Sequence, residues 1–343
     1  MPIRKQGLGL EPSPGWSADY GWEGFIPMEE LPELFNPPQG YIATANHRVV
    51  DNSYPYLIMI DDASPYRMSR IVDILSTGTS FTLEDMKALQ NDWFNPHAAI
   101  RLPRWLNLMT AQMNVLDDTE KAGLTLLEEW LENPVSSPQE PGPAIYANWY
   151  LQLMEDVFKE KMGNELYQQF ISRGYFAYNS LDYLLEQGES AWFEEGLDQI
   201  LLNSYRRAIG NLSEQLGPDP EQWQWQDLQT VSFNHVLGEV DLLKRFFNRG
   251  PYPYGGDHET VGRARYSLQD PFNVTSAAGL RFIAIMKPRI EAHGVYAGGQ
   301  SGHFMSSQYD NHINAWLEGR YYQLIGIKEE LREEKLQEMI LTP

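Results

Sequence analysis

Apolar residues recur at helical spacing from Met68 through Ile71, Val72, Ile74 and Leu75. Pro65 stands at the head of the run and Gly78 beyond its end, which predicts a helix between them. Thr82 followed by Asp85 has the form of a capping box, so a second helix starts there. Helical patterning continues over 100–115, 118–132, 144–161 and 165–171 and on to about Ile209, much of it acidic along one face, as on a solvated outer surface. The proline-rich stretch 133–143 reads as a surface connection between helices. The two ends differ. Residues 1–40 carry turn signals at 12–15 and 36–40, and a short apolar run predicts a strand over 41–45. From Pro251 the pattern predicts strands over 262–268, 280–286 and 320–325, a helix over 309–317 and a charged helix over 328–339. Strands at both ends with helices between them predict an α+β architecture whose sheet is completed by residues distant in sequence. A single, incomplete domain is expected over 1–343, with sheet and loops over 1–64, a mainly helical 65–250, and strands and terminal helices over 251–343.

Composition narrows the partners. Hydrophobic residues make up 42% and aromatic residues 13% of the 343, which is ample for a folded core. The formal net charge of −21, from 26 basic and 47 acidic residues, disfavours attraction to nucleic acid or to anionic membranes. With no cysteine, the chain has no disulfide, no thiolate nucleophile and no cysteine ligand for a metal. No apolar run reaches the roughly 18–20 residues that a membrane-spanning helix needs.

Few residue groupings suggest chemistry. His303, Asp310 and His312 lie close in sequence, but on a helix Asp310 and His312 point to different sides, so loop and cap roles outrank a metal site. Ser301 sits between glycines without an acidic partner that spacing assigns, and a tight turn is the better account. Trp223 and Trp225 could stack on a ligand, although core packing is the commoner use of tryptophan. The strongest single candidate is Asn46, directly after the expected strand: a fixed amide N–H at such a point can stabilise a developing oxyanion. On residues alone, Asn46 as a backbone cap of the strand end is the favoured alternative. His47 and Arg48 read as the solvated exit of that strand.

A longer pattern brings in a resemblance. The order Trp22-Glu23-Gly24-Phe25-Ile26-Pro27, Asn36-Pro37-Pro38-Gln39-Gly40-Tyr41-Ile42-Ala43-Thr44-Ala45-Asn46, Tyr54-Pro55-Tyr56 and Pro65-Tyr66-Arg67-Met68-Ser69-Arg70-Ile71 resembles the catalytic β-chain of the penicillin amidase (penicillin acylase) family. Asp270-Pro271-Phe272-Asn273-Val274-Thr275-Ser276, Gly279-Leu280-Arg281-Phe282-Ile283 and Gly299-Gln300-Ser301-Gly302-His303 through Trp316-Leu317-Glu318-Gly319-Arg320-Tyr321 resemble that family's C-terminal end. The resemblance covers essentially the whole chain.

It implies the fold of an N-terminal nucleophile hydrolase, a four-layer αββα sandwich, of which this chain is the C-terminal portion with a large helical insertion. It implies hydrolysis of the linear amide of penicillin or other N-acyl compounds by a serine whose own α-amino group is the base. Asn46 falls on the family's oxyanion-hole asparagine and Arg67 on its active-site arginine. The nucleophilic serine, the first oxyanion donor, most of the acyl pocket and most calcium ligands are expected upstream of Met1. The expected partners are therefore the missing N-terminal portion, or α-chain, of the same enzyme and a small acylated amide. The chain alone is expected to be inactive. No cofactor is assigned to this chain. Calcium belongs to the family, and Asp51, Asp61 and Asp62 are the residues available for the one ligand expected between Asn46 and Arg67. A periplasmic or extracellular location is consistent with the family. The contrasting expectation is a catalytically inactive helical binding or assembly protein derived from it.

Overall fold

Capping chemistry sets where several helices begin. Thr82 Oγ1 accepts from the Asp85 N–H at 3.2 Å while the Asp85 carboxylate accepts from the Thr82 N–H at 2.7 Å, the expected reciprocal box. Asp117 and Glu120 make a second one, each accepting the other's N–H at 2.8 Å. A computed structural model describes residues 1–325 of the chain. The charged helix expected over 328–339 lies outside them.

Among the described residues the helices are α1 (Tyr66–Ser76), α2 (Leu83–Gln90), α3 (Pro96–Thr110), α4 (Asp118–Leu131), α5 (Gly142–Met162), α6 (Asn164–Ile171), α7 (Gly174–Gln187), α8 (Leu197–Leu216), α9 (Trp225–Leu228), α10 (Asp241–Phe247) and α11 (Ile313–Leu317). The strands are β1 (Pro2–Arg4), β2 (Trp22–Phe25), β3 (Thr230–Phe233), β4 (Arg249–Pro253), β5 (Ala264–Ser267), β6 (Asp270–Ala277), β7 (Leu280–Ile285), β8 (Glu291–Tyr296) and β9 (Tyr322–Leu324). The protein is thus mixed α+β. No helix among the described residues is long and apolar enough to cross a membrane. The chain divides into two compact units, one of residues 1–79, 96–132 and 145–220, the other of 80–95, 133–144 and the residues from 221 onward.

The first unit is built on α5. Ile145, Tyr146, Trp149, Tyr150, Leu153, Met154, Val157 and Phe158 of this helix are all buried, so apolar side chains surround much of its girth and it serves as a core helix. Its Trp149 donates Nε1–H to Leu201 O and Ser204 Oγ, both at 3.1 Å, and packs edge-on against Tyr205. Around it, α3 packs on α1, α4 and α8. The N-terminal strands β1 and β2 pair antiparallel, with Pro2 opposite Phe25. Ile26 behind them is buried, whereas Trp16, Met28 and Phe35 project into solvent.

The second unit holds a four-stranded sheet in the order β4-β3-β6-β5 and a three-stranded sheet in the order β7-β8-β9. Among the described residues of these two sheets, only the β3–β6 pairing is parallel. Val231, Tyr254, Ala264, Val274, Val295, Ala315 and Trp316 form its core. Arg281 is buried among them because its charge is answered locally: it donates to Trp316 O and Tyr254 Oη, both at 2.7 Å, and lies over the Trp316 ring. Trp223 and Trp225 are fully buried and serve the core, not a ligand.

Two stretches depart from expectation. Residues 41–45 do not form a strand: their apolar pattern finds no ladder, the backbone pairing nearest to them is an isolated parallel bridge between His47 and Ala63, and hydrogen bonds tie them to the side chains of Ser76 and Arg67. The return to sheet begins earlier than Pro251, because β3 lies between the helical region and β4 and pairs with both β4 and β6.

Candidate functional site

Asn46 sits where the backbone turns through a left-handed conformation, with φ of +63°. Asparagine is among the few residues with a side chain that adopt this conformation readily, so the turn is encoded by the residue itself. The turn is strapped on the backbone side by the Ala63 N–H donating to Asn46 O at 2.9 Å.

Arg67 lies in the first turn of α1 and reaches back over this segment. Its Nη2 donates to Ala45 O at 2.9 Å and to Asn46 Oδ1 at 3.2 Å. The two residues assigned from the sequence, 21 positions apart, therefore meet. A guanidinium has only donors, so the atom it meets must be the amide oxygen, and that settles which end of the Asn46 amide is left over. The leftover Nδ2 carries two N–H donors and has no hydrogen-bond partner among the described residues, and Asn46 is exposed. This is an outward-facing donor pair held by an oriented amide, the arrangement that can receive a negatively charged oxygen.

Beneath α1 lies a polar network that sequence reasoning missed. Tyr66 Oη donates to Asp182 Oδ2 at 2.8 Å and accepts from Arg101 Nη2 at 2.8 Å. His97 Nε2 lies 2.9 Å from Asp182 Oδ1, Tyr146 Oη lies 2.8 Å from His97 Nδ1, and Tyr150 Oη donates to Asp182 Oδ1 at 3.2 Å. Tyr66, His97, Arg101, Tyr146, Tyr150 and Asp182 are all buried. Burial, and then the Asp182 charge, push the Tyr66 hydroxyl far above the ordinary phenol value, so it remains a protonated donor. For Asp182, burial pushes the carboxyl up, but the charge and hydrogen bond of His97, with Arg101 and Tyr66, outweigh burial and hold it below its ordinary 3.8.

A depressed folded-state value means that the Asp182 contribution to stability is complete above the ordinary value of 3.8 and is lost as pH falls below it. Urea midpoints are therefore expected to drop between about pH 5 and about pH 3 by more for the native chain than for Asp182→Asn, which cannot titrate there. Equal drops would show that Asp182 does not contribute to the acid limb.

The other sequence candidates do not converge. Asp310 pairs with Arg249 at 2.5 Å, His312 stacks on Tyr322 and His303 stacks on Phe304. Ser301 Oγ accepts from the His303 N–H in a local turn. Arg48 is held by Asn52 Oδ1 at 2.8 Å. Asp51 accepts from the Ser53 N–H and hydroxyl, and among the described residues no three His, Cys, Asp or Glu side chains gather as a metal site. These residues do not by themselves fit a calcium ion, and no step below involves one.

Known proteins resemble the chain as a whole. The sequence is 30% identical over 343 residues to an acyl-homoserine lactone acylase QuiP of Pseudomonas fluorescens, covering 94% of this chain and 41% of the relative. It is 27% identical to the acyl-homoserine lactone acylase QuiP of Pseudomonas aeruginosa, covering 93% and 41%. A 100-residue stretch is 38% identical to a penicillin acylase 2 proenzyme of a Pseudomonas species, covering 29% of this chain and 13% of that one. The chain thus spans about two fifths of the length of the first two relatives. Among solved structures, a thermostable penicillin G acylase from Alcaligenes faecalis superposes with a TM-score of 0.58 at 16% identity, covering 94% of this chain and 61% of that one. That likeness shows a shared N-terminal nucleophile hydrolase fold. The sequence model of penicillin amidases matches residues 1–333, and the chain belongs to the penicillin amidase family.

Proposed function

We propose that this chain supplies an oxyanion-binding amide for hydrolysis of the linear amide bond in small N-acylated compounds, with the serine nucleophile carried by a segment outside residues 1–343. The observation that carries this reading is the Arg67–Asn46 hydrogen bond, which turns the Asn46 Nδ2 donors outward. In the reaction, the serine hydroxyl adds to the acyl carbonyl carbon and its proton passes to that serine's own α-amino group. The carbonyl oxygen gains the negative charge, and an Nδ2–H of Asn46 donates to it. Collapse of the adduct expels the amine, which takes up the proton, and water then releases the acid from the acyl-serine. The positive charge of Arg67, which holds the oxygen of the same amide, adds to its stabilisation.

The relatives named acyl-homoserine lactone acylase and penicillin acylase support an acylated amine as the substrate class. The need for a further segment is supported by the exposed aromatic and apolar side chains of the N-terminal region. Trp16 is 91% exposed and Met28 and Phe35 are each 81% exposed, apolar surface that such a segment would cover.

The test combines this chain with a serine-bearing upstream segment of the family and follows amine release from an acyl anilide. Turnover by the mixture is expected, with none by this chain or that segment alone. Absence of turnover at every ratio, with a stable complex formed, would instead favour an inactive binding protein of the same descent.

A further inference from the structure

The Asn46 turn is held on one side by residues 62–67, and those residues are themselves held by α7. Asn179 and Asp182, three positions apart on that helix, share one face. Asn179 Nδ2 donates to Asp62 O at 3.1 Å, and Asp182 Oδ2 accepts from Tyr66 Oη at 2.8 Å. Between these two anchors lies Ala63, whose N–H holds Asn46 O, and directly after the second lies Arg67, whose guanidinium holds Asn46 Oδ1.

The head of α1 is held by tertiary contacts. Its N-cap is Pro65, which makes no side-chain capping bond. A helix start without a cap frays unless tertiary contacts hold it, and here those contacts include the buried Tyr66 hydroxyl on Asp182 and the Tyr66 ring against His97. Asp182 is in turn held by His97 and Arg101, whereas the Tyr150 hydroxyl reaches it only at 3.2 Å and is shared with Tyr178 O.

We infer that Asn179, Asp182 and Tyr66 are positioning residues for the oxyanion-binding amide: α7 clamps residues 62–66 and thereby sets Arg67 and the orientation of Asn46. The clamp rests on the reading of Asn46 given above for its catalytic meaning, but not for its geometry. None of the three touches the reacting atoms. They act through Ala63 and Arg67, and a misplacement of about 1 Å at such a remove can lower a rate by up to about 10²-fold.

The geometric arm of the test uses the chain itself, labelled with ¹⁵N-asparagine, with the Asn46 side-chain amide signal identified by its loss in Asn46→Asp. Tyr66→Phe and Asn179→Ala are expected to shift or broaden that signal while the Tm stays within a few degrees of native. Tyr150→Phe removes a different donor from Asp182 without touching residues 62–67, and is expected to leave the signal in place. An unmoved Asn46 signal in both Tyr66→Phe and Asn179→Ala, or an equal shift in Tyr150→Phe, would overturn the clamp.

The kinetic arm uses the assembled enzyme. Tyr66→Phe is expected to lower kcat about 10-fold with KM little changed, and to lower it no further when Asn46 is already Ala. Equal losses in both backgrounds would show that Tyr66 acts elsewhere. Should Asn46→Ala prove harmless to the rate, the functional reading fails, while the labelled-asparagine result still decides the clamp.

Discussion

Under the proposed function, replacing Asn46 with Ala in the enzyme assembled with its serine-bearing segment is expected to lower kcat by about 10²–10³-fold, a loss of about 3–4 kcal/mol of transition-state stabilisation. The magnitude follows from what is removed. In the substrate the carbonyl oxygen is neutral and the Nδ2–H bond is worth little, whereas in the adduct the oxygen is charged and the same bond is charge-assisted. KM is therefore expected to move much less than kcat. Asn46→Asp sharpens the measurement. It keeps the shape of the side chain and its contact with Arg67, but replaces both donors with a carboxylate oxygen facing the developing charge, so its loss should equal or exceed that of Ala. Unchanged turnover by both variants would remove Asn46 from the mechanism. Turnover lost together with the far-ultraviolet helical signal would trace the effect to folding.

Trp149→Ala is expected to destabilise the first unit by about 3–5 kcal/mol, read as a lowered urea midpoint. Trp149 is 0% exposed. Its ring lies 4.8 Å from that of Trp105 and 4.9 Å from that of Tyr205, so truncation opens a cavity lined by two more large rings that cannot collapse into it together. The lost Nε1–H also leaves Leu201 O with one donor fewer, although Ser204 Oγ still donates to it at 3.1 Å. Trp149→Phe retains most of the volume and is expected to fall between native and Ala. A loss near zero for Ala would mean that α5 is not the centre of this unit.

Local signals made the helices readable and long-range ones did not. The Thr82–Asp85 box and the spacing of Met68, Ile71, Val72 and Leu75 are encoded within a turn or two, and α1 and α2 form close to where those residues place them. The start of α3 at Pro96 shows the reach of a first-turn proline, which the apolar pattern beginning at Ile100 does not reveal. Strand formation is another matter, because a ladder needs a partner. The run 41–45 has the apolar character of a strand and no ladder, while β3, short and flanked by helices, becomes a strand because β4 and β6 lie on either side of it.

The candidate site divides in the same way. Asn46 and Arg67 are singled out by a family pattern, and their side chains meet in a hydrogen bond, each borne on a local structure that its own neighbours encode. The clamp beneath them was not legible. Asp182 is 116 positions from Tyr66 and 85 from His97, on a helix whose pattern says only which face is buried. A buried aspartate amid apolar spacing was its one signal, and that signal does not say with what the carboxylate pairs.

The left-handed turn at position 46 makes two separate demands on one residue. The chain path most readily admits glycine, asparagine or aspartate, and a planar group that gives Arg67 an oxygen while turning N–H donors outward admits asparagine or glutamine. Only asparagine satisfies both lists. Glutamine, the nearest chemical relative, would have to be carried by a backbone that disfavours it, and glycine, the most comfortable backbone, would present nothing. Position 46 is therefore a point at which exchange of one residue for any other of the nineteen forfeits either the path or the donor, and laboratory selection for turnover from a fully randomised codon there should return a single amino acid.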